Sequence, residues 1–259
     1  LLFTLGSVAR AQDVNAFVQQ AVDSERAANK ADHSNWTYLE ELHKPKEHLV
    51  QWVAATQQGS VERVLVKNDE KPTEQQQSDM IQKFLHDPHA QKKQIEENAH
   101  DGQQVDDFLK LLPTAFLWKR TGADASNTYL HFEPNPNFHP PTREARVFSE
   151  MSGDLTVDNQ QHRVRAMSGR LARDVTFGGG LLGRLKQGSS FSLEQAPVGE
   201  SLWQLTSIRV HLEGNALLFK SVSLQEDDER SRFSPEPASI TLDQAAALVM
   251  TQPEQVPVK

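Results

Sequence analysis

The sequence predicts an α+β fold: a single strongly curved antiparallel sheet, a half-open β-barrel, with helices on its concave side. Three observations carry this. Short runs that alternate apolar and polar residues recur along the chain, broken by turn-forming clusters such as Asp158-Asn159-Gln160 and Gly178-Gly179-Gly180, which is the pattern of antiparallel strands. Apolar residues at helical spacing occur near both ends and within one insertion. About nine strands follow one another with no repeat and no linker, and consecutive strands of this kind pair as neighbours. A sheet of that size covers its apolar face by curving around its helices.

The elements follow in order. Leu1–Ala11 resembles the back half of a secretory signal peptide, with an apolar start and an Ala9-Arg10-Ala11 ending, so cleavage is expected after Ala11. The alternative is an ordinary apolar helix start. One domain is expected over 12–250, with a helical insertion over 73–112 and a disordered tail over 251–259. Gln12–Ala31 is a helix, because Val14, Phe17, Val18, Ala21, Val22 and Glu25 fall on one stripe. Strands follow at Trp36–His43, His48–Thr56 and Ser60–Lys67, turned by Lys44-Pro45-Lys46 and Gln57-Gln58-Gly59.

Thr73 can cap the insertion, whose apolar face is Met80, Ile81, Phe84 and Leu85. Pro88 interrupts it, His89–Gly102 has almost no apolar face, and Asp106–Leu112 forms a separate short helix. Thr114–Arg120 and Asn127–Glu133 make a hairpin, and the Pro-rich run 134–141 is irregular. Thr142–Met151 is a short helix or turn. Strands follow at Asp154–Asp158, His162–Phe177 and Ser190–Gln195, with a wide connection between the last two. Ser152-Gly153 and Ser168-Gly169 read as turn or bulge pairs. Leu202–Leu212 and Ala216–Gln225 close the sheet as a hairpin, Glu226–Glu229 is an acidic loop, and Thr241–Met250 is the last helix.

Composition excludes several functions. The net charge is −8, which disfavours a nucleic-acid partner. No cysteine is present, so thiol catalysis, disulfides and cysteine metal sites are out. No stretch approaches the ~20 apolar residues of a membrane helix. Gly178, Gly180 and Gly183 match G-x-G-x-x-G, but that motif works only where a strand feeds a helix. Here Leu181–Gly188 is too short and too rich in glycine for a crossover helix.

No G-x-S-x-G and no H-E-x-x-H occurs, and no acid/base pair stands out. Glu40-Glu41 and Asp106-Asp107 point to opposite faces or to solvent. The chain is therefore expected not to be an enzyme, with no cofactor and no metal. His131, Glu133 and His139 are close in sequence, and a solvated strand face accounts for them better than a metal does.

Aromatic residues remain. Trp36, Trp52, Trp118, Phe132, Phe191, Trp203 and Phe219 lie on separate strands, and Tyr38 shares the strand of Trp36. On a curved sheet several would converge, either as plain core or as a dry pocket for a lipid or acyl chain. Leu181, Leu182 and Leu185 follow the glycine run, with Arg184 and Lys186 between them. Such a tip either plugs the fold or stays exposed to touch a membrane or partner.

The order of elements resembles the periplasmic lipoprotein carriers of the LolA/LolB type, a fold shared by the sigma-factor regulator RseB. The local likeness lies in Tyr129-Leu130-His131-Phe132-Glu133-Pro134, in Gly153–Asp158, in His162-Arg163-Val164-Arg165 and in Trp203. It spans about Val14 to Leu224. It implies an exported protein of the Gram-negative periplasm that binds lipid or a lipoprotein acyl chain as a non-catalytic carrier. The other implication is an envelope interaction or sensor protein of the RseB kind, with a protein partner and no transported ligand.

Overall fold

The computed structural model describes residues 5–177, 183–199, 202–216 and 225–254. The expectations placed on 178–182, on Phe219 and on the tail from 255 lie outside the described residues. The chain is α+β, and the strand pairs among the described residues are antiparallel. It divides into two compact units, Leu1–Ala31 with Gln104–Gln225, and Asp32–Gln103 with the chain from Glu226 onward.

In the first unit helix α1 (Leu5–Ala31) buries Val14, Val18, Ala21 and Val22, the stripe read from the sequence. Helix α3 (Pro88–Ala115) ends here, burying Leu109, Leu112 and Ala115. The separate helix expected at Asp106–Leu112 is instead the end of this one long helix. Pro113 lies in the last turn of this helix. Trp118 Nε1 donates to Leu112 O at 3.1 Å, and Asn135 donates to Thr114 O and Ala115 O.

Six strands of this unit run in the spatial order β11 (Trp203–His211), β10 (Ser190–Pro197), β7 (Val164–Leu171), β6 (Met151–Asp158), β5 (Asn127–Pro134), β4 (Phe116–Ala123). A 3₁₀ turn, Glu144–Glu150, precedes β6 and buries Ala145 and Phe148. Phe116, Phe132, Leu130, Leu155, Val157 and Met167 join the helical stripe in one core.

The single strand expected over His162–Phe177 is two strands. It breaks at Ala172–Asp174, and β8 (Val175–Phe177) pairs in a second, three-stranded sheet with β9 (Gly183–Leu185) and β12 (Gly214–Ala216). The stretch after the glycine run therefore holds a strand, where a loop was expected. Ala216 belongs to β12 on β9 and not to a hairpin with β11. Gly153 and Gly169 are neither turn nor bulge; they face each other in mid-strand.

In the second unit β1 (Asn35–Lys44), β2 (Glu47–Thr56) and β3 (Gly59–Lys67) form the expected meander, and β13 (Gln225–Glu236) pairs with β1. The acidic run Glu226–Glu229 is thus strand, not loop. Its charges are tolerated because basic residues flank it: Lys44 pairs with Glu226, and Arg230 with Asp228.

One face of this sheet, carrying Leu39, Val50, Trp52, Val61 and Leu65, is covered by α2 (Glu74–Leu85) and α4 (Leu242–Thr251). Thr73 and Thr241 each close a capping box, with Gln76 and Gln244, which satisfies the first free N–H groups of those helices. Pro253 and Glu254 are tied down, not loose as expected: Trp52 Nε1 donates to Pro253 O at 2.9 Å, and Glu254 pairs with Arg63 at 2.8 Å.

Candidate functional site

The aromatic residues singled out in the sequence fall into two sets. Trp118 and Phe132 lie in the core of the first unit. The Phe132 ring is 4.5 Å from Phe116 and 5.2 Å from Trp118, and Phe116 is 5.6 Å from Phe148. Phe132 is fully buried. Phe191 is half-buried, edge-on to Phe108. Trp203 is buried, and Gln161 accepts its Nε1–H. Trp36, Tyr38 and Trp52 belong to the second unit. Trp52 is buried under α4, while Tyr38 stacks on Phe233 and Trp36 meets the same ring edge-on.

All four tryptophan N–H groups donate to internal acceptors; the fourth bond is from Trp36 to Ser34. Leu185 is buried in the first core. Arg184 is paired with Asp174, and Lys186 lies 3.9 Å from Glu213. Leu181, Leu182 and Phe219 lie outside the described residues.

A polar group that the sequence reading missed surrounds Tyr38. Register places Glu40 opposite Gln51 on β2 and opposite Arg230 on β13. Gln51 Nε2 donates to Glu40 at 2.7 Å, Arg230 Nε lies 3.4 Å from Glu40, and the Arg230 fork holds Asp228 at 2.7 and 3.0 Å. The Arg230 guanidinium also lies over the Tyr38 ring, at 5.4 Å.

Burial raises the Tyr38 hydroxyl to about 12, against the pull of Arg230 and with help from Glu40 and Asp228. Burial likewise raises the Glu40 carboxyl, with Arg230 opposing. Burial works against the Arg230 charge, but Tyr38, Asp228 and Glu40 outweigh it and hold its pKa above the ordinary value. Gln51 Oε1 and Asp228 Oδ1 are buried and accept no hydrogen bond, so this group has acceptors to offer a donor. Glu40 was legible only in part: its step of two from Tyr38 puts both on one face, but its partners lie 11 residues and most of a chain away.

The first unit has a second buried ionic group. Glu25 of α1 receives Arg163 through two bonds, the Val164 backbone N–H at 3.1 Å and Gln195 Nε2 at 3.0 Å. Arg163 and Arg165 lie over the Trp203 ring, at 5.9 and 5.3 Å. In the sequence, Glu25 appeared only as the odd member of an apolar stripe. Arg163 is part of the basic strand start that carried the family likeness.

His131 Nδ1 is 2.9 Å from Asp154, and its Nε2 is 3.9 Å from Glu133. His139 does not join them, since its Nδ1 contacts Asn137 O. No family model and no curated protein matches this chain.

Proposed function

We propose that this protein is a non-catalytic interaction or sensor protein of the bacterial cell envelope, of the RseB kind, with no transported ligand. In this reading the antiparallel strands form a strongly curved half-open barrel whose concave side holds the protein's own helices. Export is suggested by the Ala9-Arg10-Ala11 ending. The observation that carries the choice over a carrier is the packing around Phe132. Where an acyl chain would need empty apolar walls, Phe116 already packs against Phe132, Trp118 and Phe148, and Trp118 against Phe132. Indole N–H groups that all donate internally fit a structural role for the tryptophans.

Binding of a fluorescent fatty acid tests this, together with native mass spectrometry of the purified chain. The wild type is expected to carry no lipid and to show no saturable uptake. Phe132→Ala, which opens a cavity, is expected to gain uptake. Saturable one-to-one binding by the wild type would instead establish the carrier.

A further inference from the structure

The segment His43-Lys44-Pro45-Lys46-Glu47-His48 turns β1 into β2. Pro45 presets the φ that the first central position of a two-residue turn requires. Lys44 then pairs with Glu47 and His43 with His48. Glu41 lies two residues before His43 and so projects from the same face of β1. A turn of five residues or an odd shift in register would have sent the two imidazoles to opposite faces.

The three side chains meet. Glu41 Oε1 is 3.1 Å from His43 Nε2 and 3.7 Å from His48 Nε2. The imidazoles lie parallel, with centroids 4.1 Å apart. One potential ligand atom from each residue lies within 4.8 Å of the other two. His48 Nε2 is buried and has no hydrogen-bond partner. A buried ring nitrogen without a partner calls for an explanation, and here it sits beside a carboxylate and a second imidazole.

We propose that Glu41, His43 and His48 bind one late first-row divalent metal ion, of the zinc, nickel and copper class. Two neutral imidazoles and one carboxylate suit these ions, whereas magnesium and calcium select oxygen donors alone. Bonds of about 2.0–2.2 Å at tetrahedral angles place neighbouring ligand atoms about 3.4 Å apart. The two distances to Glu41 bracket that value.

The parallel stack must open for both ring planes to contain the ion. The His43 side chain is 48% exposed, so it has room to turn. Its Nε2 already faces Glu41, the carboxylate with which it would share the ion.

The surroundings favour the same ion. Lys67, Asn68, Asp69 and Glu70 form a tight turn in which Asn68 and Asp69 both take positive φ; the Asn68 backbone N–H donates to His48 O, and Asn68 Oδ1 accepts from the His48 backbone N–H. This turn brings Asp69 Oδ1 to 3.7 Å from His48 Nδ1. That is longer than a hydrogen bond, and a small movement of this exposed carboxylate would let it accept the Nδ1–H of a ligating histidine and orient its ring. With three protein ligands and the His43 side open, the fourth position falls to water. By contrast, His131 has only carboxylates for company.

Titration calorimetry of the full chain with zinc, nickel and copper salts tests the site. One equivalent is expected to bind, with copper tightest, and to raise the unfolding temperature as metal concentration rises. His43→Ala and His48→Ala should each weaken binding by more than about tenfold, and Asp69→Asn by about tenfold. Both rings should appear as nitrogen couplings in the electron spin resonance spectrum of the copper form. His131→Ala should leave all of this unchanged. Equal binding by wild type and a folded His43→Ala/His48→Ala double variant would overturn the proposal, as would loss of binding in His131→Ala.

Discussion

Glu25 and Arg163 lie 138 residues apart and form a two-pronged ion pair, Nε to Oε2 at 2.8 Å and a second guanidinium nitrogen to Oε1 at 3.0 Å. The Glu25 side chain is 3% exposed and that of Arg163 8%. The pair ties α1 to the start of β7, and the carboxylate also takes a backbone N–H and an amide. Its desolvation is compensated only while every partner is present. Glu25→Ala strands the guanidinium and is expected to cost about 3–5 kcal/mol. The double variant Glu25→Met/Arg163→Met should recover most of that loss. Urea unfolding of Glu25→Met, Arg163→Met and the double variant closes the cycle. A Glu25→Ala loss below about 1 kcal/mol would show that the pair is solvated, in the surface range.

Arg63 performs a similar task in the second unit. It sits on the core face of β3 and donates to the carbonyls of Val249, Met250 and Gln252, at 3.2, 3.0 and 2.9 Å, where α4 ends. Gln77 and Glu254 accept its remaining bonds. The planar fork reaches all of these at once, which a lysine cannot do. Arg63→Lys and Arg63→Ala should both destabilise, by about 2–4 kcal/mol. Amide exchange in Gln244–Thr251 should accelerate in both. Unchanged protection of α4 would mean that its apolar face alone holds it.

How far such features could be read from the sequence depends on how local their causes are. The α1 stripe, the β1–β3 meander, the Thr73 cap and the β4–β5 hairpin rest on neighbours in sequence, and each was legible. Glu226–Glu229 was not, because four consecutive acids resemble a solvated loop until Lys44 and Arg230 are known to stand beside them.

The break in 162–177 was hidden for a related reason. Arg173 and Asp174 take Glu150 and Arg184, neither of them a sequence neighbour, as partners and leave the strand. Gly102 suggested a stop in α3, yet an added Cβ there would meet nothing within 4 Å; the helix runs through an exposed position that needs no stop. Around Tyr38, pattern showed which face Glu40 occupies. It could not show Arg230, because the partner strand comes from the far end of the chain.

Tyr38 makes that group measurable. The chain has two tyrosines, so Tyr129→Phe leaves Tyr38 as the one phenol to titrate. Its absorbance change should fall near pH 12, against about 10 for a free phenol. A folded-state value above the unfolded one means that the neutral form is favoured. The contribution to stability is complete below about pH 10 and is lost as pH rises toward 12. Glu40→Gln removes a negative neighbour and should lower the midpoint. Arg230→Gln removes the positive one and should raise it. A midpoint near 10 in the folded Tyr129→Phe chain would contradict the burial of this hydroxyl.

Gly153 and Gly169 face each other across β6 and β7, and the ring of Phe132 occupies the space that a side chain would take. A Cβ added at Gly153 would lie 1.9 Å from the Ser168 carbonyl oxygen and 2.8 Å from Phe132 Cζ. Both distances are inside contact range, and one of the groups is backbone, which cannot swing aside. At Gly169 an added Cβ meets the ends of Phe191 and Met151, at 2.6 and 2.9 Å, and those are side chains that can move. The two sites should therefore respond differently. Gly153→Ala is expected to cost about 1–3 kcal/mol or more as an overpacked core, while Gly169→Ala should cost less.

Combining Gly153→Ala with Phe132→Leu separates the two clashes. If the ring is the main obstacle, the pair costs less than the sum of the single changes. If the Ser168 carbonyl is, the costs add. The carbonyl contact is shorter by 0.9 Å (2.8 − 1.9), and additivity is the expected result. Thermal unfolding of the four chains decides it, and a Gly153→Ala chain as stable as wild type would show that β6 and β7 can separate at this point without loss.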